Sequence, residues 1–378
     1  MENFEEKYME DEIELENAEE LENMEYEGGA GSYIFKEVRV TKKDFSIYEL
    51  LRKYNQGKLI LDVLFQRRKV WDEKQKCELI ESILMGLPLP IFYFKQLDNS
   101  RYVVVDGKQR LSALFEYLSN EFALKNLKIL DFLNGKKFKD LKNELGIYQS
   151  QLEDYQVYSH VILPPTPDKI LFDVFDRVNR GGTKLNKQEI RNALYQGRGM
   201  QMIHEITKGE SFQKATRIKP EKDSRMKGAY LLTRFFAFYL YFTGKLTVGG
   251  RTYQYNGDCD NLIEISLKYL NSCEDITLTE LKNQTENALE NTYFYLGRSA
   301  FRKTESHPVN MNLFETTLFL MTNITAQNEG IKNVLREKLY DTLNCDEFLG
   351  YIGNGRDGAA NVMGRFRLIG SVIKEIEK

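Results

Sequence analysis

Tyr102-Val103-Val104-Val105-Asp106-Gly107-Lys108-Gln109-Arg110-Leu111 is the stretch on which the fold turns. A run of β-forming residues predicts a buried strand over Tyr102 to Val105. Leu111, Leu114, Phe115 and Leu118 then recur along one face, which predicts a helix opening directly after the glycine. A strand that ends in a glycine turn and starts a helix directs first-turn backbone N–H groups and the positive end of the helix dipole outward. Lys108 and Arg110 add cations, and Gly107 permits close approach to the backbone. The pattern reads as an anion site, with Asp106 placed to hold a metal ion or orient a water. An ordinary solvated turn has the same appearance, so the five residues do not decide the matter alone.

Upstream, Leu87-Pro88-Leu89-Pro90 forces an extended path into a strand at Ile91 to Phe94, with a turn at Asp98-Asn99-Ser100. Asp72 and Gln75 have capping-box spacing for a helix carrying Leu79, Ile80, Ile83 and Leu84 and stopping at Gly86. Before it, Gln66, Arg67, Arg68 and Lys69 adjoin the sole tryptophan, Trp71, as a phosphate contact beside a stacking surface. Trp71 itself reads better as the hydrophobic staple of the Asp72 cap. Ser46 with Glu49 caps another helix ending near Gly57, preceded by a short strand at 33–40 and followed by one at Lys58 to Leu61.

Downstream, helical periodicity from Ile170 to Val178 is broken by Asn179-Arg180-Gly181-Gly182-Thr183. Asn186 with Glu189 then caps a helix reaching about Tyr195. Glycines between two helices either build an anion-binding nest beside Arg180 or merely turn the chain. Beyond 200 the pattern is mainly helical, with a Gly-rich hairpin-like interruption at 248–258.

Residues 1–27 carry thirteen acidic residues against Lys7 alone, a net of −12; the overall −3 therefore leaves +9 for the remainder. A basic body suits phosphates or nucleic acid, and a tethered polyanion competes for the same surface or only aids solubility. The acidic run ends in Gly28-Gly29-Ala30-Gly31-Ser32, so residues 1–32 read as a disordered tail, followed by a mixed domain at 33–200 and a mainly helical one at 201–378. The longest apolar run, Tyr230 to Phe242, is interrupted by Arg234 and is shorter than the roughly 18 residues of a span. No membrane helix is expected. Cys77, Cys259, Cys273 and Cys345 lack metal or redox spacing and fit reduced thiols of a cytoplasmic protein.

Taken in order, the segments around Gln66-Arg67, Leu79 to Pro90, Asp106 to Arg110, Arg177 to Gly182 and Glu189 to Ala193 resemble the N-terminal domain of GmrSD-type DNA-restriction proteins. The resemblance implies an α+β, ParB/sulfiredoxin-like fold with a DGQQR-type motif in a nucleotide pocket. It carries over Asp106, Gly107, Gln109 and Arg110, with Gln66, Arg67, Asn179, Gly181 and Gly182 as walls. Lys108 departs from the family pattern, where Gln is usual, and adds a phosphate-binding charge. Such proteins also carry a histidine-dependent HNH-type nuclease domain, whereas the C-terminal half here has only His204 and His307, far apart. Any cleavage of DNA would then fall to a partner nuclease subunit.

Three readings stand. The first is an NTP-binding and NTP-hydrolysing subunit of a bacterial anti-phage or restriction system, with phosphates held by Lys108, Arg110, Arg67 and Arg180 and with Asp106 placing Mg²⁺ or the attacking water. The second is a non-catalytic DNA-binding module using Lys214, Arg217, Lys219, Lys222, Arg225 and Lys227, a mobile-looking cationic segment. The third is a metal-dependent nuclease combining Asp106 with Asp173, Asp176 or Glu189.

Overall fold

The computed structural model describes residues 13–22, 39–61, 71–97, 101–166, 186–324, 326–352 and 357–376. They fall into two compact units: residues 39–166 form one, and residues 13–22 with 186–376 form the other. The expected boundary near 200 therefore lies earlier, before the helix that Asn186 caps. The first elements in the chain, β1 (Leu15–Glu16) and α1 (Glu19–Glu22), belong to the second unit.

The first unit is a mixed sheet with helices. Its elements are β2 (Arg39–Ser46), α2 (Ile47–Asn55), β3 (Leu59–Ile60), α3 (Glu73–Leu84), β4 (Phe92–Gln96), β5 (Tyr102–Asp106), α4 (Lys108–Leu118), α5 (Gly146–Asp154) and β6 (Gln156–Leu163). The strand order is β2-β6-β4-β5-β3. β2 and β6 are antiparallel, β6 and β4 parallel, β4 and β5 antiparallel, and β5 and β3 parallel. Phe45, Phe92, Phe94, Val104 and Val161 from the strands meet Ile80, Ile83, Leu111 and Leu114 from α3 and α4 in one core. Ser46 Oγ accepts the Glu49 N–H at 3.1 Å, and Asp72 and Gln75 close the expected capping box on α3. Trp71, just before that cap, is half-buried against the core.

Two strands differ from expectation. The first strand runs on to Ser46, beyond the expected end at 40; residues 33–38 lie outside the described residues. Its charged run Lys42-Lys43-Asp44 is tolerated because β2 is an edge strand with exposed side chains. β6 has no counterpart in the sequence reading, although Val157, Ser159 and Val161 alternate inward and Pro164 ends it. It lies between β2 and β4 and so binds the edge strand to the rest of the sheet.

The second unit is helical: α6 (Lys187–Leu194), α7 (Arg198–Lys208), α8 (Glu210–Thr216), α9 (Lys227–Phe242), the hairpin β7 (Thr247–Val248) and β8 (Arg251–Thr252), α10 (Cys259–Ser272), α11 (Asp275–Leu296), β9 (Val309–Asn310), α12 (Met311–Met321), α13 (Glu329–Asn344), α14 (Asp346–Tyr351) and α15 (Ala359–Ile376). Residues 13–22, expected within a disordered tail, are ordered here. β1 pairs in parallel with β9, Leu21 is buried, and Asn17 Nδ2 donates to the Ile352 carbonyl at 2.6 Å. Arg234 from α9 forks onto Asp357 at 2.6 and 2.8 Å and reaches Glu315 of α12 at 3.2 Å; Arg365 of α15 joins the same two acids. These charges are buried but paired with one another, the condition under which an ion network survives in a core. Among the described residues no helix is long and apolar enough to cross a membrane.

Candidate functional site

Asp106 ends β5, and Gly107 takes φ +95° as the N-cap of α4. A Cβ on Gly107 would stand 2.1 Å from Cδ1 of Phe92, so both the backbone angle and the neighbouring ring require glycine. The same ring carries Arg110, whose guanidinium carbon lies 4.1 Å from its centroid. Arg110 Nη2 donates to Asp106 Oδ2 at 2.9 Å, and Nη1 donates to the Pro90 carbonyl. Burial draws the Arg110 guanidinium below its ordinary pKa, opposed by the charge and hydrogen bond of Asp106.

The sequence reading gives the Arg110 fork to phosphate oxygens, and the structure shows what it holds within the fold. Arg110 is buried and spends its fork on Asp106 and Pro90, which fixes the carboxylate at the strand end. The Asp-Gly-x-x-Arg spacing follows from this packing: four residues bring Asp106 and Arg110 together across the first turn, and the glycine admits Phe92 between strand and helix. Pro90 is held in turn by Tyr155, whose hydroxyl donates to the Leu87 carbonyl at 3.0 Å and accepts the Leu89 N–H at 3.1 Å. Pro90, Phe92 and Tyr155 are positioning residues the sequence reading missed. The x-Pro spacing marked an extended path, but only the fold shows what its carbonyl serves.

Among the described residues no side chain caps α4, whereas Ser46, Asp72 and Asn186 cap α2, α3 and α6. The start of α4 thus retains the chemistry of an anion site: first-turn amides, a glycine and Lys108 at the first helical position. Asp106 remains about one-third exposed despite its bond to Arg110. Across the sheet, the register places Tyr93, His160 and Lys42 in one row with Asp106. The Tyr93 and His160 rings lie 5.5 Å apart. Neither was singled out from sequence, because only the strand pairing reveals that they share the row.

Gln66, Arg67, Asn179, Arg180, Gly181 and Gly182 lie outside the described residues, as do Asp173 and Asp176. Glu189, offered as a metal ligand, is buried in the helical unit; it accepts the Asn186 N–H at 2.8 Å and pairs with Arg225 at 3.1 Å. That commitment removes it as a free carboxylate. Among the described residues no cluster of three potential metal ligands occurs.

The cationic segment 214–227 is also corrected. It is not a mobile loop: it comprises the end of α8, a 3₁₀ turn at Pro220–Lys222 and the start of α9, whose first amides bond to buried Asp223. Lys214 pairs with Glu210 at 2.7 Å, Arg217 donates to the Glu305 carbonyl at 2.6 Å, and Lys227 donates to the Ile13 carbonyl at 2.7 Å. Lys214, Arg217, Lys219 and Lys222 nevertheless stay exposed.

Together these features define the first unit as an α+β domain whose strand–glycine–helix junction is clamped by an internal aspartate–arginine pair. Residues 47–196 match the family model described as GmrSD restriction endonuclease, N-terminal domain. No curated protein matches the chain.

Proposed function

We propose that this chain is a nucleotide-binding, NTP-hydrolysing component of a DNA-restriction system, with the phosphates docked at the start of α4 in a ParB/sulfiredoxin-like domain. The observation that carries the reading is the helix start itself: a positive-φ glycine replaces a side-chain cap, a lysine follows, and a fixed carboxylate stands at the strand end. Lys108 and the first-turn amides bind phosphate oxygens, and Gln109 lines the same turn. Arg110 acts through Asp106 and does not touch phosphate. Asp106 orients the attacking water or shares a Mg²⁺; a single carboxylate suits an ion held mainly by phosphates and water. From the family resemblance, Gln66, Arg67, Asn179, Arg180, Gly181 and Gly182 complete the walls. Cleavage of DNA falls to a partner nuclease subunit.

Thermal unfolding with a series of nucleoside triphosphates and Mg²⁺ tests binding. One of them should raise the melting temperature of the wild type, and the rise should shrink in Lys108→Ala. Equal shifts in both proteins would remove the site from α4.

A further inference from the structure

The cations of segment 214–222 do not stand alone. Arg217, which ends α8 at φ +60°, donates to the Glu305 carbonyl, and Arg302 Nη2 donates to the Thr216 carbonyl. These bonds join the segment to Arg298, Arg302 and Lys303, in the stretch between α11 and β9. Arg302 is buried and donates to the carbonyls of Ala300 and Thr216, and among the described residues its Nε finds no partner. Burial, then the charge of Arg217, lowers its pKa to about 10. Exposed Arg217, Lys219, Lys222, Arg298 and Lys303 share this surface with the acids Glu221 and Glu305, while Lys214 faces Glu210 and Glu290.

Across one side of it lies the N-terminal segment. Glu16 pairs with Lys303, Ile13 gives its carbonyl to Lys227, and Ile13 lines a shallow cleft with Lys222, Asp223, Ser224 and Arg225. The segment is pinned by the β1–β9 pairing, Asn17 and Leu21. It comes from the most acidic stretch of the chain.

We infer that Arg217, Lys219, Lys222, Arg298 and Lys303 form a docking surface for the phosphate backbone of duplex DNA, and that residues 13–22 are an acidic strap which covers part of it and must lift for DNA to bind. A DNA backbone supplies the same negative charge as the strap, in longer supply, and binds through counterion release that salt suppresses. The inference concerns the helical unit and stands whether or not α4 binds a nucleotide.

Leu15 and Val309 are register partners in β1 and β9, so Leu15→Cys with Val309→Cys supplies a reversible lock. Binding of a labelled duplex is measured on the full chain in oxidised and reduced states at two salt concentrations, with NTP turnover followed in parallel. The locked state should bind about tenfold more weakly than the released state, with nucleotide turnover unaltered. Arg217→Ala with Lys303→Ala, in the released background, should lower the salt slope by about two. Equal affinity in both redox states, or no salt-sensitive binding after release, overturns the inference.

Discussion

Replacing Gly107 by alanine should be far more damaging than its single methyl group implies. An L-residue held in the left-handed region costs about 1–2 kcal/mol. The new Cβ would also meet Phe92 at 2.1 Å (Cδ1) and 2.6 Å (Cε1), and Phe92 is itself 1% exposed within the core. Moving a buried ring adds about 1–3 kcal/mol, for a total near 3 kcal/mol. Gly86 provides the control: its φ is +73°, but nothing lies within 4 Å of its would-be Cβ, so Gly86→Ala should cost only about 1 kcal/mol. Urea unfolding followed by the fluorescence of Trp71, the sole tryptophan and a neighbour of this core, reads both variants in the correct unit. Equal losses would refute the claim that the Phe92 ring dictates the glycine.

Arg110→Met should destabilise the same unit by about 2 kcal/mol, a buried-pair loss discounted because Asp106 is partly exposed. Because Arg110 acts through Asp106, nucleotide turnover should lose kcat with little change in KM, and Arg110→Lys should restore only part of it; a pure KM effect would return Arg110 to phosphate contact. In the helical unit, burial and then Lys208 lower His204 from 6.5 to about 4. The unfolded chain therefore takes up the proton first, so stability is full above about pH 6.5 and falls by roughly 3 kcal/mol as pH drops towards 4. His204→Gln should flatten that slope in pH-dependent unfolding.

The local signals in the sequence were strong where chemistry is local. Capping pairs at Ser46, Asp72 and Asn186, and the buried run before Asp106, located α2, α3, α6 and β5 because each depends on neighbours within a few residues. Long-range effects were not legible. β6 has no counterpart in the sequence reading: its alternation carries Tyr158 and His160 on the second face, and only pairing with two strands makes it central. The capping box predicted helix α6 but not its surroundings: Lys187, Gln188, Glu189 and Arg191 are all buried. Asp260, sixty-nine residues beyond Arg191, holds both Lys187 and Arg191, a partner no local pattern announces. The motif at 106–110 was found as an anion site, but the inward turn of Arg110 depends on the Pro90 carbonyl and the Phe92 ring. The ordering of residues 13–22 depends likewise on β9.

Hydrolysis of nucleoside triphosphates with Mg²⁺ by the wild type and Asp106→Asn probes the α4 site most directly. Loss of the fixed charge at the strand end should cut single-turnover hydrolysis by about a hundredfold or more while nucleotide still binds. Undiminished turnover in Asp106→Asn, or a wild type that hydrolyses none of them, would contradict the account.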